Sequence, residues 1–312
     1  MKKLWKKSRN FWVLFIFLSI TVLLVWQSEQ VRSAVLESVD LFMTNLFPVL
    51  FPFFVLTDCA ISLKIPILLG ELLKPITEKW LHLERPAAFV IVMSILSGFL
   101  AGAKYTEDMV QKGYISEETA NHLLLFTHYG NPAFILSFVG IGILNDMKLG
   151  IILYFIQLGS SFLLARLTRP KLLPTCHSHH LVESETPNIL GSAISNAFTT
   201  LLMMLGSLSL FLIIENIIIT LTKTSLYGQI GIKMILEVTS GLSSLTYVPM
   251  SIELKFLLAS ICISLGGANI HLQVYSYLEK SKLKYKYFLK GRIYETILQT
   301  ILVSIFILCS VI

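Results

Sequence analysis

Apolar runs of helical length are separated along this chain by short polar stretches, and the lengths of the runs carry most of the information. Residues 11–26 form a first apolar segment and predict a helix. A polar stretch, 27–40, leads to a second predicted helix at 41–63, interrupted by Pro48 and Pro52. Residues 65–83 mix charges with Leu, Ile and Trp and contain Pro66 and Pro75, so they are expected to lie along a membrane surface. Residues 86–97 are apolar but make only about 18 Å of helix, short of a hydrocarbon core of roughly 30 Å. The run closes on Ser97-Gly98-Phe99-Leu100-Ala101-Gly102 and turns polar through Lys104, Glu107, Asp108 and Lys112. Two half-helices meeting at a glycine-rich tip inside the membrane, a re-entrant hairpin, are the expectation for residues 86–113.

Ser116 is placed as the N-cap of the next helix, with Glu117 and Glu118 in its first turn, where acids suit the helix dipole. That helix runs into Gly130-Asn131-Pro132. Asn caps well and Pro suits the first helical position, so a fresh helix start is predicted inside what should be a span, ahead of residues 134–144. A further span is expected at 149–167. After a polar loop holding Pro170, Pro174 and Pro187, the order recurs. A long helix (194–221) and an amphipathic stretch (230–247) precede a short apolar piece (255–263) ending in Ser264-Leu265-Gly266-Gly267-Ala268-Asn269. A polar half-helix to residue 280 and a last span at 288–312 follow. Gly267-Ala268 repeats Gly102-Ala103 at a spacing of 165 residues, which indicates a duplication and not a solenoid. Paired glycine-interrupted segments in two halves point to a transporter site; the alternative is that both clusters are helix-packing contacts.

Composition fixes the class. The 312 residues are 54% hydrophobic and 14% charged, with a mean hydropathy of +0.73, against about a quarter charged in soluble domains. Backbone in lipid must be helix or closed barrel, and these runs are too long for barrel strands of about 10 alternating residues. The expected fold is an all-α integral membrane protein. It is read as a multi-pass helical bundle with two related halves, each with a re-entrant hairpin and an interfacial amphipathic helix. Residues 1–30 are read as an anchor helix, 31–168 as the first half, 169–190 as a polar loop and 191–312 as the second half, with its hairpin at about 252–281.

Charge adds orientation. Five of the 25 Lys and Arg lie in the first nine residues and six more between Lys280 and Arg292. Such blocks mark cytoplasmic flanks facing anionic lipid, and no soluble module accompanies them that would bind nucleic acid. The basic start argues for a cytoplasmic N-terminus. Inverted halves would then place the 280–292 block outside unless 230–247 spans, and the sequence leaves both open. Cys59, Cys176, Cys262 and Cys309 are scattered and imply neither a disulfide framework nor a zinc site. No small-x-small cleavage site follows Trp26, so the first segment is read as retained.

Lys104 is the most informative charge. An ammonium at membrane depth costs at least about 2.5–3.5 kcal/mol, so it is expected to meet a carboxylate of an anionic solute, or else a structural partner such as Glu237 or Glu107. Asn131 and Pro132 start a half-helix whose N–H groups can face an anion; the plainer reading is a proline kink. Ser97, Gly98 and Gly102 at the first tip, and Gly266, Gly267 and Asn269 at the second, offer bare backbone and small polar groups. His271 and Gln273 follow on the polar half-helix, His271 more readily as a satisfied interior group than as a proton carrier. Glu237 completes the substrate-binding set, and Glu215 is a further pathway residue. The run Cys176-His177-Ser178-His179-His180 is read as a solvated loop and not a metal site. No cofactor or metal is expected. Without HExxH, GxSxG or clustered intramembrane Asp or His, neither is enzymatic activity.

The block Ser97-Gly98-x-x-Ala101-Gly102-Ala103-Lys104, followed by Lys112-Gly113-x-Ile115-Ser116-x-Glu118, resembles the YlbJ family of sporulation integral membrane proteins. Leu46-Phe47-Pro48 and the run from Phe51 to Leu56 look like that family's nucleoside-recognition ("Gate") region. So does the stretch from Gln273 to Arg292, with Lys286-x-Phe288. The resemblance covers the chain from about residue 41. Phe99-Leu100 stands where the family usually has Tyr-Pro. The resemblance implies a role in spore formation, in moving dipicolinic acid across a membrane that surrounds the forespore. The order of elements is also similar, more distantly, to concentrative nucleoside transporters. The expectation is therefore a permease for a small anionic organic solute; alternatives are a non-transporting assembly factor of the spore envelope or a nucleoside-like solute transporter. Its partners are the solute and the bilayer, with a homo-oligomer left open.

Overall fold

A computed structural model describes residues 2–171, 188–279 and 281–309, with the backbone alone for residues 2–10 and 16. The Cys176–His180 run lies outside the described residues, as do Lys280 and the last three positions. Among the described residues every regular element is a helix. Five are long and apolar enough to cross a membrane: Ser28–Ser62, Met147–Leu167, Ile189–Thr222, Ile252–Leu278 and Tyr285–Cys309. The chain is a multi-pass membrane protein.

The first departure from expectation is at residues 27–40, which are helix and not a polar link. Helix α1 (Lys2–Trp26) gives way at Gln27 alone (φ −99°, ψ 29°) to α2 (Ser28–Leu41). The polar residues of α2 share the helix with a buried stripe, Ala34 and Ser38, and Ser38 Oγ lies 2.6 Å from Ser209 Oγ. A π-helical turn, Phe42–Leu46, leads without interruption into α3 (Phe47–Ser62). Pro48 falls in the first turn of α3, where its missing N–H costs nothing.

The surface stretch becomes α4 (Ile65–Leu72) and a π-helical segment, Pro75–Leu81, tied together by Arg85, which reaches Glu71 and Glu78 at 2.5 Å each. Then come two eleven-residue helices, α5 (Ala87–Ser97) and α6 (Ala101–Gln111), packed on each other. Each is about 16 Å long. The helix breaks at Gly98, whose φ of +96° no L side chain adopts without strain. Gly102 is not at the tip. It lies inside α6, and a Cβ there would overlap the carbonyl oxygen of Thr127. Helix α7 (Glu117–Phe126) is capped as expected, Ser116 Oγ accepting from Thr119 N. After a non-helical stretch the chain winds into a π-helical segment, Phe134–Ile143, and Asp146 caps α8 (Met147–Leu167).

The second half opens with the 34-residue α9 (Ile189–Thr222), which lies along both α2 and α3. Short helices α10 (Leu226–Leu236) and α11 (Val238–Ser244) meet at an extended Glu237 (φ −144°, ψ 128°). Helix α12 (Ile252–Leu265) ends at Gly266 (φ +75°) and α13 (Ala268–Leu278) starts past Gly267. The two glycine breaks differ in their surroundings. Helices α5 and α6 pack on each other, whereas α12 packs chiefly on α14 (Tyr285–Cys309) and α13 on α6 and α9.

Two hydrophobic cores result. One joins α2, α3, α5, α6, α7, α9 and α13; the other joins Phe134–Ile143, α10, α11 and α12; α8 and α14 contribute to both. The close approach of Gly102 to Thr127 binds the first core to the start of the Asn131 break. Gly102→Ala should therefore cost about 1–3 kcal/mol by overpacking. Gly159→Ala and Gly206→Ala, whose Cβ atoms would meet nothing within 4 Å, should be neutral or gain up to about 1 kcal/mol. Thermal melting in detergent checks the contrast.

Candidate functional site

A cavity of about 640 Å³, counting its mouth, lies where the two cores meet. Its walls come from α3, both glycine breaks, the Asn131 break, α9 and the α10–α11 joint. Five residues of the predicted site line it: Ser97, Asn131, Glu237, Asn269 and Gln273. They come from sequence positions up to 176 apart and are brought together by the breaks themselves. Apolar walls are supplied by Leu50, Phe54, Phe99, Phe134 and Leu208.

Local chemistry sets each break. Asn131 Oδ1 accepts from Phe134 N at 2.7 Å and Pro132 is the first helical residue, so the capped restart read from Asn-Pro is present. Gly98 allows the backbone to pass close to Asn131; a Cβ on it would stand 3.1 Å from Asn131 N. Gly267 does the same against the other joint, 3.3 Å from Glu237 Cα on the same measure. Glu237 is 4% exposed and caps α11, its Oε2 accepting from Ser240 N at 2.7 Å. Ser240 Oγ donates to Glu215, which is paired with Lys233 at 2.9 Å. Glu215 is therefore buried within the protein, 1% exposed. Gln273 Nε2 donates to Asn269 Oδ1 (2.8 Å) and to Ser207 Oγ (2.6 Å).

Three helices begin at this wall. Ala101 opens α6, Asn131 caps the Pro132 restart, and Asn269 lies in the first turn of α13. Helix starts carry positive partial charge, although Ala101 N already donates to the Gly98 carbonyl and Phe134 N to Asn131 Oδ1. The start of α11 is already met by the Glu237 carboxylate.

Lys104 stands elsewhere. It is 6% exposed and donates to Asp58 Oδ1 and Asp108 Oδ2, both at 3.0 Å, so its carboxylate partners come from α3 and its own helix, not from Glu237. It does not line the cavity. Its neighbour Tyr105 does reach the cavity wall, its hydroxyl donating to Ser97 Oγ at 3.2 Å. His271 is likewise outside the lining. Its Nε2 faces the Leu265 carbonyl (2.9 Å) and its Nδ1 faces Tyr285 Oη (2.6 Å), the satisfied interior arrangement.

Sequence reasoning missed Arg292, which it counted in a basic flank. Arg292 is 1% exposed. Its Nη1 donates to the His128 carbonyl, just past α7, at 3.1 Å and to the Ser264 carbonyl, in the last turn of α12, at 3.2 Å. One guanidinium thus ties the two halves together behind the cavity. Glu295 is fully buried one turn on, accepting from Ser160, Ser161 and Gln299. A signal existed: Arg292, Glu295 and Gln299 recur at steps of three and four in an otherwise apolar span, which marks one polar helix face.

The chain is similar to the sporulation integral membrane protein YlbJ of Bacillus subtilis (strain 168), with 26% identity over 93% of this chain and 80% of that protein. No protein-family model matches the chain, and no solved structure matches it.

Proposed function

The chain belongs to the YlbJ family of sporulation integral membrane proteins, and from that premise we propose that it is a permease, not an enzyme, for a small anionic organic solute. One observation carries this reading: three helix starts and the side-chain amides of Asn131 and Asn269 converge on one cavity. Helix N-termini favour a carboxylate, and the amides can donate to its oxygens. Broken backbone in the interior of a membrane bundle is tolerated where it lines a cavity, and transporters place such breaks at the substrate.

On this reading Lys104 is a structural cation and the anion is held by backbone N–H groups and amides. The solute class includes dipicolinic acid, and the membrane is one that surrounds the forespore.

Uptake of labelled dipicolinic acid, with a labelled nucleoside beside it, tests the proposal in cells expressing the protein. Accumulation of the dicarboxylate should exceed that in cells lacking the protein. Asn269→Ala should lower it at least about tenfold, the loss of roughly 1.4 kcal/mol. Uptake of the nucleoside alone would overturn the anionic assignment. Uptake of neither solute by protein correctly placed in the membrane would remove both from the list of cargoes.

A further inference from the structure

The central cavity shares walls with two others. One, of about 740 Å³ with its mouth, lies between the π-helical segments Phe42–Leu46 and Phe134–Ile143. It has Phe134 in common with the central cavity. The other, of about 330 Å³, lies between α9 and α13 and shares Leu100, Met204 and Gln273 with it. Building on the permease reading, we propose that the three cavities are successive chambers of one solute path. Phe134 closes one end of the middle chamber, and the Gln273–Ser207 contact closes the other.

Phe134 is 7% exposed and is held as a plug, stacked on Phe138 (centroids 5.0 Å, 24°) and edge-on to Phe99 (5.9 Å, 81°). Such aromatic pairs are worth about 0.5–1.5 kcal/mol beyond burial, enough to favour a closed ring and little enough to release it. The chamber outside it is lined by Thr44, Asn45 and Ser137. These are polar residues on apolar sequence, FMTNL and FILSFVGIGI; Thr44 donates to the Asp40 carbonyl and Asn45 to Thr44, and the remaining lone pairs suit a watered groove better than lipid. Both flanking segments are π-helical, a rare winding that marks functional sites in helices.

At the other end the closure is polar. Gln273 Nε2 bridges α13 to Ser207 on α9 at 2.6 Å, and Ser276 and Tyr277 line the chamber beyond. None of the residues lining either outer chamber is charged. The ends would therefore pass polar solutes by size, leaving selection by charge to the middle chamber.

Thiol labelling tests this without requiring transport. In a chain whose four cysteines are replaced by alanine, single Ser137→Cys and Ser97→Cys probes meet a cationic, membrane-impermeant methanethiosulfonate. The cysteine thiolate, which forms where water reaches, attacks that reagent and displaces methanesulfinate. Ser137→Cys should label readily and Ser97→Cys slowly. Adding Phe134→Ala should speed labelling of Ser97→Cys about tenfold, as should Gln273→Ala, whereas Phe134→Leu, which keeps the bulk, should not. Ser137→Cys that is inert to the cation but reactive with a lipid-soluble maleimide would place that groove in lipid and overturn the proposal. So would equal Ser97→Cys rates in all backgrounds. Failed uptake with the predicted labelling would count against the permease reading and leave the connected path standing.

Discussion

Arg292→Gln should be among the most damaging single changes in the molecule, lowering stability by about 2–6 kcal/mol as two buried carbonyls lose their donor. The guanidinium is fully buried and serves two carbonyls that no helix satisfies, one at the end of the α7 region and one in the last turn of α12. Buried acceptors left bare cost about 1–3 kcal/mol each, and the cation contributes a charge that the shorter glutamine cannot replace. The partner groups belong to different halves, so the loss should be cooperative. The apparent melting temperature in detergent is expected to fall as one transition. Arg292→Lys should recover only part, since an ammonium is a compact, more strongly hydrated charge that is costlier to bury. An unchanged melting temperature for Arg292→Gln would mean that the two breaks are held by packing alone.

Lys104→Met is expected to destabilise by about 3–5 kcal/mol, because it strands the buried Asp58 and the partly exposed Asp108 without their cation. Both carboxylates are 3.0 Å from the ammonium, and the Asp58 side chain is only 9% exposed. Pairing Lys104→Met with Asp58→Asn should restore much of the loss, giving a coupling of about 1–3 kcal/mol in a double-mutant cycle. The same pair separates structure from transport. If Lys104 is a structural cation, the restored double variant should take up solute at a rate near the parent. A stable double variant with no uptake would return Lys104 to the solute path.

What the sequence disclosed is chemistry that acts over a few residues. Ser116 ahead of Glu117 and Glu118, and Asn131 ahead of Pro132, announce helix starts because the cap and its N–H groups are neighbours in the chain. Gly98 and Gly266 announce breaks for the same reason, since the strain they relieve is their own. The pairing of Lys104 was out of reach, because Asp58 lies 46 positions away on another helix. Arg292 was hidden by its company, five lysines within twelve residues, although it lies deeper than any of them for which exposure is described. Gly102 was misread because a packing glycine and a turn glycine look alike until the opposing backbone is known. The polar stretch 27–40 was taken for a link because its buried face is only Ala34 and Ser38, small residues that give little apolar signal.

Helix α9 carries a further consequence for the membrane around it. Its 34 residues make about 51 Å of helix, far more than a hydrocarbon core of roughly 30 Å. A tilt of about 30° brings that length to the roughly 40–45 Å of a whole bilayer with its headgroups. Its first two turns, with Ser192, Ser195 and Asn196, suit the headgroup layer. A bilayer a few ångströms thicker would stand the helix more upright, and α2 and α3, laid along it, would have to follow. Acyl-chain length thereby becomes a mechanical input to the space those helices wall in.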